Sequence, residues 1–88
     1  MKRIVVLAAD NAVAGGIISF MDVFSFCNTY WKVTQTNAEE DLFECKILSP
    51  NGEPIKSDYG LSLPVVPHAD AEHYLSHADA VVVASATI

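Results

Sequence analysis

Two uninterrupted runs of branched and small apolar residues, Ile4 to Ala9 and Ala80 to Ala84, constrain this chain more than any other feature. A strand with one wet face alternates apolar and polar residues, whereas a strand covered on both faces has no reason to alternate. Each run is far below the roughly 20 apolar residues that a bilayer crossing needs. Both read as central strands of a parallel sheet, the first from Arg3 and the second entered through Asp79. Parallel neighbours need crossover connections, and those are right-handed helical crossovers.

The stretch between the two runs supplies such connections. Asp10 to Gly16 reads as a small-residue loop, with Gly15 and Gly16 free to turn tightly or to let a ligand approach the backbone. Ile17 to Trp31 has helical spacing: Ile17, Phe20, Met21, Phe24, Cys27 and Trp31 form one band, joined by Val23 and Tyr30. The other side holds Asp22, Ser25 and Thr29 but also Ile18 and Phe26, which a solvent-facing strip does not need. That pattern predicts a helix covered on two sides, by a sheet and by a partner subunit or second layer. Leu42 to Leu48 alternates before turning apolar, as a more peripheral strand does. Ser49-Pro50-Asn51-Gly52 is a turn. Pro54 to Ser57 and Leu61 to Val66 read as a short hairpin, its prolines suiting an edge. Asp70 to Ser76 reads as a short helix capped by Asp70, with Ala71, Tyr74, Leu75 and Ala78 as its apolar stripe. The order β-α-β-hairpin-α-β argues an α/β, flavodoxin-like fold: a parallel sheet with helices on both faces. Three strands make an incomplete sheet, marginal alone, so more chain or a partner is expected; the resemblance given below implies that residues 1–88 are the N-terminal half of a larger domain.

Charge narrows the function classes. The chain of 88 residues has a net charge of −6, and its five basic residues, Lys2, Arg3, Lys32, Lys46 and Lys56, are scattered. Phosphate neutralisation needs grouped basic residues, so DNA would be met only through another part of a longer protein. Met1-Lys2-Arg3 before an apolar run hints at a signal peptide, but the run is shorter than a secretory core and reaches Asp10 without a clear cleavage site. No membrane segment is expected, and the location expected is cytoplasmic. Cys27 and Cys45 form no C-x-x-C pattern and read as free thiols in a reducing compartment.

Three groups of residues can carry chemistry. Asp10, Asn11, Gly15 and Gly16 follow the first strand, and Ser85 and Thr87 follow the last; in open α/β sheets ligands bind at these carboxyl ends. Against a ligand pocket stands the reading of an ordinary loop. No G-x-G-x-x-G or P-loop pattern accompanies the glycines, and no cofactor is expected. His68, Asp70, His73, His77 and Asp79 are the most metal-like cluster, with His73 and His77 one helical turn apart. The helix is short and packs through its opposite face, so a solvated polar face is the preferred reading and no metal site is expected.

Four phrases, in order, resemble the ThiJ/PfpI, class I glutamine amidotransferase-like family. Phe20-Met21-Asp22-Val23-Phe24-Ser25-Phe26-Cys27-Asn28 is similar to a family helix reading "PLEVFRLAN". Phe43 to Gly52 is similar to "YEVRLVSPDG". Pro54-Ile55-Lys56-Ser57 with Gly60-Leu61 is similar to "PVRSSSGL". Asp79-Ala80-Val81-Val82-Val83 is similar to "DALLVPGG" up to its last part. The second and third phrases most resemble the branch found as the N-terminal sensor and dimerisation domain of AraC-family transcription regulators. The resemblance implies a homodimer, a small-molecule effector at the strand ends and a DNA-binding domain after the sensor. It also implies that Asp22 stands where family enzymes place an acidic residue beside a nucleophilic cysteine. A carboxyl group there orients and tunes a thiol, though Asp is one carbon–carbon bond shorter than Glu; the alternative is a plain polar residue on the helix. The chain departs from the family at Ala9-Asp10-Asn11-Ala12, where Pro-Gly is usual, at Gly16, where an acidic residue is usual, and at Ala84-Ser85-Ala86-Thr87-Ile88, where Pro-Gly-Gly is usual. The enzyme nucleophile would lie past position 88, and neither Cys27 nor Cys45 is equivalent to it. The expectation is therefore a regulator domain without catalysis, with a ThiJ/PfpI-type cysteine hydrolase, amidase or glyoxalase-like enzyme as the alternative.

Overall fold

In the computed structural model, residues 1–35 and 40–86 are described. The first apolar run becomes β1 (Lys2–Leu7) and the last becomes β5 (Ala80–Val83). Between them lie α1 (Ala14–Thr34), β2 (Phe43–Leu48), the two-residue strands β3 (Ile55–Lys56) and β4 (Ser62–Leu63), and α2 (His68–Ser76). β1 is the middle strand of a parallel sheet ordered β2-β1-β5, and β3 and β4 form a separate antiparallel ribbon. Ile4 stands opposite Cys45 on one side and Ala80 on the other, and Leu7 opposite Leu48 and Val83.

The period of two along β1 divides the core. Val6 and Ala8 pack with Ala12, Ile17, Ile47 and Ile55 on the α1 side, supported by Phe20 and Met21. Val5 packs with Leu48 and Val66 on the other, supported by Ala71 and Tyr74 of α2 and by Ala78 just beyond it. Helices therefore cover both faces, and this is why β1 has no polar alternation. Val5 and Val6, adjacent in sequence and on opposite faces, are the largest fully buried side chains.

Asp79 ties the sheet together at its entrance. Its carboxylate accepts a hydrogen bond from the Arg3 amide at 2.8 Å, and its own amide donates to the Arg3 carbonyl at 2.8 Å. On the other flank Asn28 of α1 pairs with the Phe43 backbone in both directions, each bond 2.9 Å, locking α1 to the first residue of β2. Phe24 adds an edge-on contact with Phe43, ring centroids 4.9 Å apart.

Several details depart from the sequence reading. α1 begins at Ala14, so Gly15 and Gly16 lie in its first turn rather than in a loop. Neither has a positive φ. The tight turn is made instead by Asn11, with φ of 70°, a residue type that tolerates this region. Asp70 sits inside the first turn of α2, which starts at His68 after Pro67 and has no side-chain cap. Its negative charge still suits that end of the helix dipole. Val23 and Tyr30 are 60% and 64% exposed, so they belong to the outward face of α1 and not to its packed band. Leu75 is likewise exposed, leaving Ala71 and Tyr74 as the packed stripe of α2, with Ala78 packing just past its end. No helix among the described residues is long and apolar enough to cross a membrane.

Candidate functional site

The strand ends gather where an open α/β sheet binds ligands. Leu7, Leu48 and Val83 finish their strands side by side. Beyond them the chain runs through Ala8–Val13, the Ser49–Gly52 turn and Ala84–Ala86, and the β3–β4 ribbon folds across this end.

The ribbon is held by the loop after β1. Asp10 accepts a hydrogen bond from the Lys56 amide at 3.0 Å, and the Asn11 amide donates to the Lys56 carbonyl at 2.8 Å. Asp58, in the ribbon's turn, returns the clamp. Its amide donates to the Ala12 carbonyl at 3.0 Å, and its carboxylate accepts from the Ala14 amide at 3.2 Å. Val13, the residue before α1, makes no side-chain cap of its own. Asp58 thus caps α1 from 44 residues away, and its charge meets the positive end of the helix dipole. Ser57 beside it is buried; its hydroxyl accepts from the Leu61 amide at 3.2 Å and so satisfies itself within the turn.

The candidate residues are spread over three hollows. Gly16 and Ser85 face an apolar cavity of about 200 Å³ between the first turns of α1 and the end of β5, with Val6, Ile17, Phe20 and Val82 as walls. The Ser85 carbonyl accepts from the Val13 amide at 2.9 Å, which fixes the mouth of that cavity. Asp10 faces a more polar hollow of about 380 Å³, shared with Ser49, Asn51 and Glu53. Asp22 lines a third, of about 390 Å³, with Ser25, Asn28, Glu44 and Cys45 on the β2 side of α1. Gly15 is exposed, and a side chain there would meet open space. Thr87 lies outside the described residues. The strand-end set of the sequence reading is thus divided: Gly16 and Ser85 come together, Asp10 and Asn11 serve the ribbon, and Asp22 is placed elsewhere.

The histidine-rich segment is also dispersed. His73 and His77 stack with ring centroids 4.5 Å apart, and Nδ1 of His77 lies 2.8 Å from the His73 carbonyl. Asp79 is engaged with Arg3. Among the described residues no three His, Cys, Asp or Glu side chains converge to hold a metal ion. Both cysteines are free, and burial pushes the Cys45 thiol above its ordinary range, the opposite of what a reactive thiol needs.

Asp58 is the residue that sequence reasoning missed at this end of the sheet. Its only local signal is its place before Tyr59-Gly60 in a turn, and Gly60 has φ of 73°. Nothing nearby in sequence points to the helix it caps.

No family model and no curated protein matches this chain. Among solved structures it is similar to an AraC family transcriptional regulator from Pseudomonas putida, at 23% sequence identity and a TM-score of 0.78. The match covers 99% of this chain and 48% of that one, so the chain spans about half the length of the regulator. A likeness at this identity speaks to the fold, and the fold is shared. The shared fold is flavodoxin-like, with the β-α-β-ribbon-α-β order described above.

Proposed function

We propose that the chain is the effector-sensing and dimerisation portion of an AraC-family transcription regulator, built on the N-terminal half of a ThiJ/PfpI-like domain and without catalytic activity. The observation that carries this reading is the likeness to a regulator along nearly the whole chain. The order of the four sequence phrases supports the same family. In this reading the protein is cytoplasmic and pairs with a second copy. A small effector enters at the strand ends, beside Gly16 and Ser85, and DNA is met by a separate basic domain. An effector there would touch both the first turn of α1 and the segment after β5. Differential binding to two arrangements of these elements would then shift the relation between subunits. What supports a non-catalytic reading is that the strand-end loops lack the family's Pro-Gly and Gly-Gly features, at Ala9 to Ala12 and from Ala84 on.

The coding sequence past the Ile88 codon tests this reading. Continuation through a second α/β half into a basic segment with two helix-turn-helix patterns is the expected result. A second half that carries a cysteine on a strand-to-helix elbow with a histidine partner, and no basic segment, would overturn it in favour of a cysteine enzyme.

A further inference from the structure

The parallel sheet has two edges, β2 and β5, and the chain treats them differently. Even-numbered residues on the β2 side serve β1: the Lys2 amide donates to the Leu42 carbonyl at 2.7 Å, and the Ala8 amide to the Leu48 carbonyl at 2.9 Å. Successive residues of a strand turn their amide and carbonyl to opposite sides. Phe43, Cys45 and Ile47 therefore turn theirs outward, to the edge of the sheet. The bonds made there agree. At one end the Asn28 Nδ2 donates to the Phe43 carbonyl and the Asn28 Oδ1 accepts from the Phe43 amide, each at 2.9 Å. At the other the Val66 amide donates to the Ile47 carbonyl at 2.9 Å. Cys45 is the one outward residue of β2 left between these two clasps.

Asn28 does for Phe43 what a neighbouring strand would do. Two residues that face each other in an antiparallel pair exchange both N–H···O bonds. A carboxamide carries an acceptor and donors on one small planar group, so a single side chain can take the place of that facing residue. Packing holds it there: Phe24, one helical turn before Asn28, meets the Phe43 ring with centroids 4.9 Å apart. Val66 lies between Pro64 and Pro67. Proline has no amide to donate, so the segment over Ile47 offers no run of amides to a further strand. Glu44 and Lys46 add charges to β2, a common protection of sheet edges. β5 has none of this. Its four residues are Ala80-Val81-Val82-Val83, with Val81 and Val83 exposed.

We infer that Asn28 is an edge guard: its carboxamide occupies the backbone groups of Phe43 and so closes the outer edge of β2 to pairing with another strand, leaving β5 as the edge from which the sheet can grow. An open edge is a template for any extended chain, a second copy included. With Phe43 and Ile47 both clasped, the outward groups of Cys45 alone are too few for a ladder. Removing the carboxamide frees two neighbouring outward residues, Phe43 and Cys45, which is enough to start one.

Asn28→Ala in the 88-residue chain tests the inference by sedimentation equilibrium and amide hydrogen exchange at a low and a high concentration, with circular dichroism as the control for folding. At low concentration the Phe43 amide should exchange about tenfold faster than in the wild type, the worth of one hydrogen bond. On concentrating, the variant should self-associate at concentrations at least about tenfold below any at which the wild type does. The Phe43 and Cys45 amides should then gain protection together, whereas in the wild type neither should depend on concentration. If Asn28→Ala does not fold, Asn28→Ser, whose hydroxyl can serve one of the two Phe43 groups, takes its place under the same expectations. A variant that loses protection at Phe43 yet associates no more than the wild type would overturn the guard and leave Asn28 as a fastening of α1 alone. Association that protects β5 but not Phe43 and Cys45 would overturn it too, as would a Phe43 amide that keeps its protection without the carboxamide.

Discussion

Asp58 holds two structural tasks in one side chain and backbone, capping α1 and fastening the ribbon's turn to Ala12. Asp58→Ala should destabilise the fold by about 1 kcal/mol, the ordinary worth of a helix N-cap, read from urea denaturation. An unchanged midpoint would show that water serves the Ala14 amide as well. The two positive-φ glycines separate strain from space. Gly52 has φ of 72°, and a Cβ there would lie 2.5 Å from the His68 nitrogen; Gly60 has φ of 73° with nothing within 4 Å. Gly60→Ala should therefore cost about 1–2 kcal/mol from backbone conformation alone. Gly52→Ala should cost clearly more, because the start of α2 must move. Equal losses would contradict the close approach at Gly52. At Cys45 the sign with pH is fixed by the raised thiol pKa. The folded state binds the proton more tightly than the unfolded chain, so this group's contribution is complete below the unfolded thiol's pKa. It is lost as pH rises from there through the folded value. Cys45 should also alkylate more slowly than a free thiol at pH 8, and faster labelling would contradict its burial.

Among the elements, β1 was the most legible in sequence, and for a physical reason. The apolar run from Ile4 to Ala9, which carries on from β1 into the loop after it, leaves no polar face, so both sides must be covered, and α1 and α2 cover them. Val5→Ala and Val6→Ala should each cost about 2 kcal/mol, two methyl groups plus the residual cavity, with the double variant unfolded at room temperature. A loss from only one of them would mean that only one face is packed. The same logic read α1 as a helix covered on two sides, but assigned Val23 and Tyr30 to the inner band. A band defined by apolarity alone cannot tell an inner from an outer face when both are apolar; Asn28, which looks neutral in sequence, marks the inner face by pairing with Phe43. Loops were less legible because their anchors are distant. The glycines at 15 and 16 suggested a turn, yet the helix starts before them and Asn11 makes the turn. Asp70 looked like a cap because Asp commonly is one, whereas Pro67 sets the entry to α2 two residues ahead of Ala69. Of the candidate site, Gly16 and Ser85 fell together because both flank the end of one strand pair; Asp22, placed by analogy of phrase, lies midway along α1 on another flank.

For the whole molecule, a three-stranded sheet with two helices leaves two surfaces unfinished, and they differ in kind. The β5 edge exposes Val81 and Val83 beside a strand that pairs, among the described residues, only with β1. Such an edge calls for another strand. The exposed side of α1, with Phe26, Tyr30 and Val33, offers side chains and no backbone. In the proposed reading the first is met by the rest of the domain. Backbone amide hydrogen exchange, followed at a low and a high concentration of the 88-residue chain, examines all of this at once. The slowest amides should lie in Ile4 to Leu7 at both concentrations. Those of β5 should exchange faster and show no dependence on concentration. If instead β5 is as protected as β1, its edge is already covered, and if it gains protection on concentrating, two copies join through their sheet edges; either result would contradict the account of β5 as the unfinished edge of the sheet.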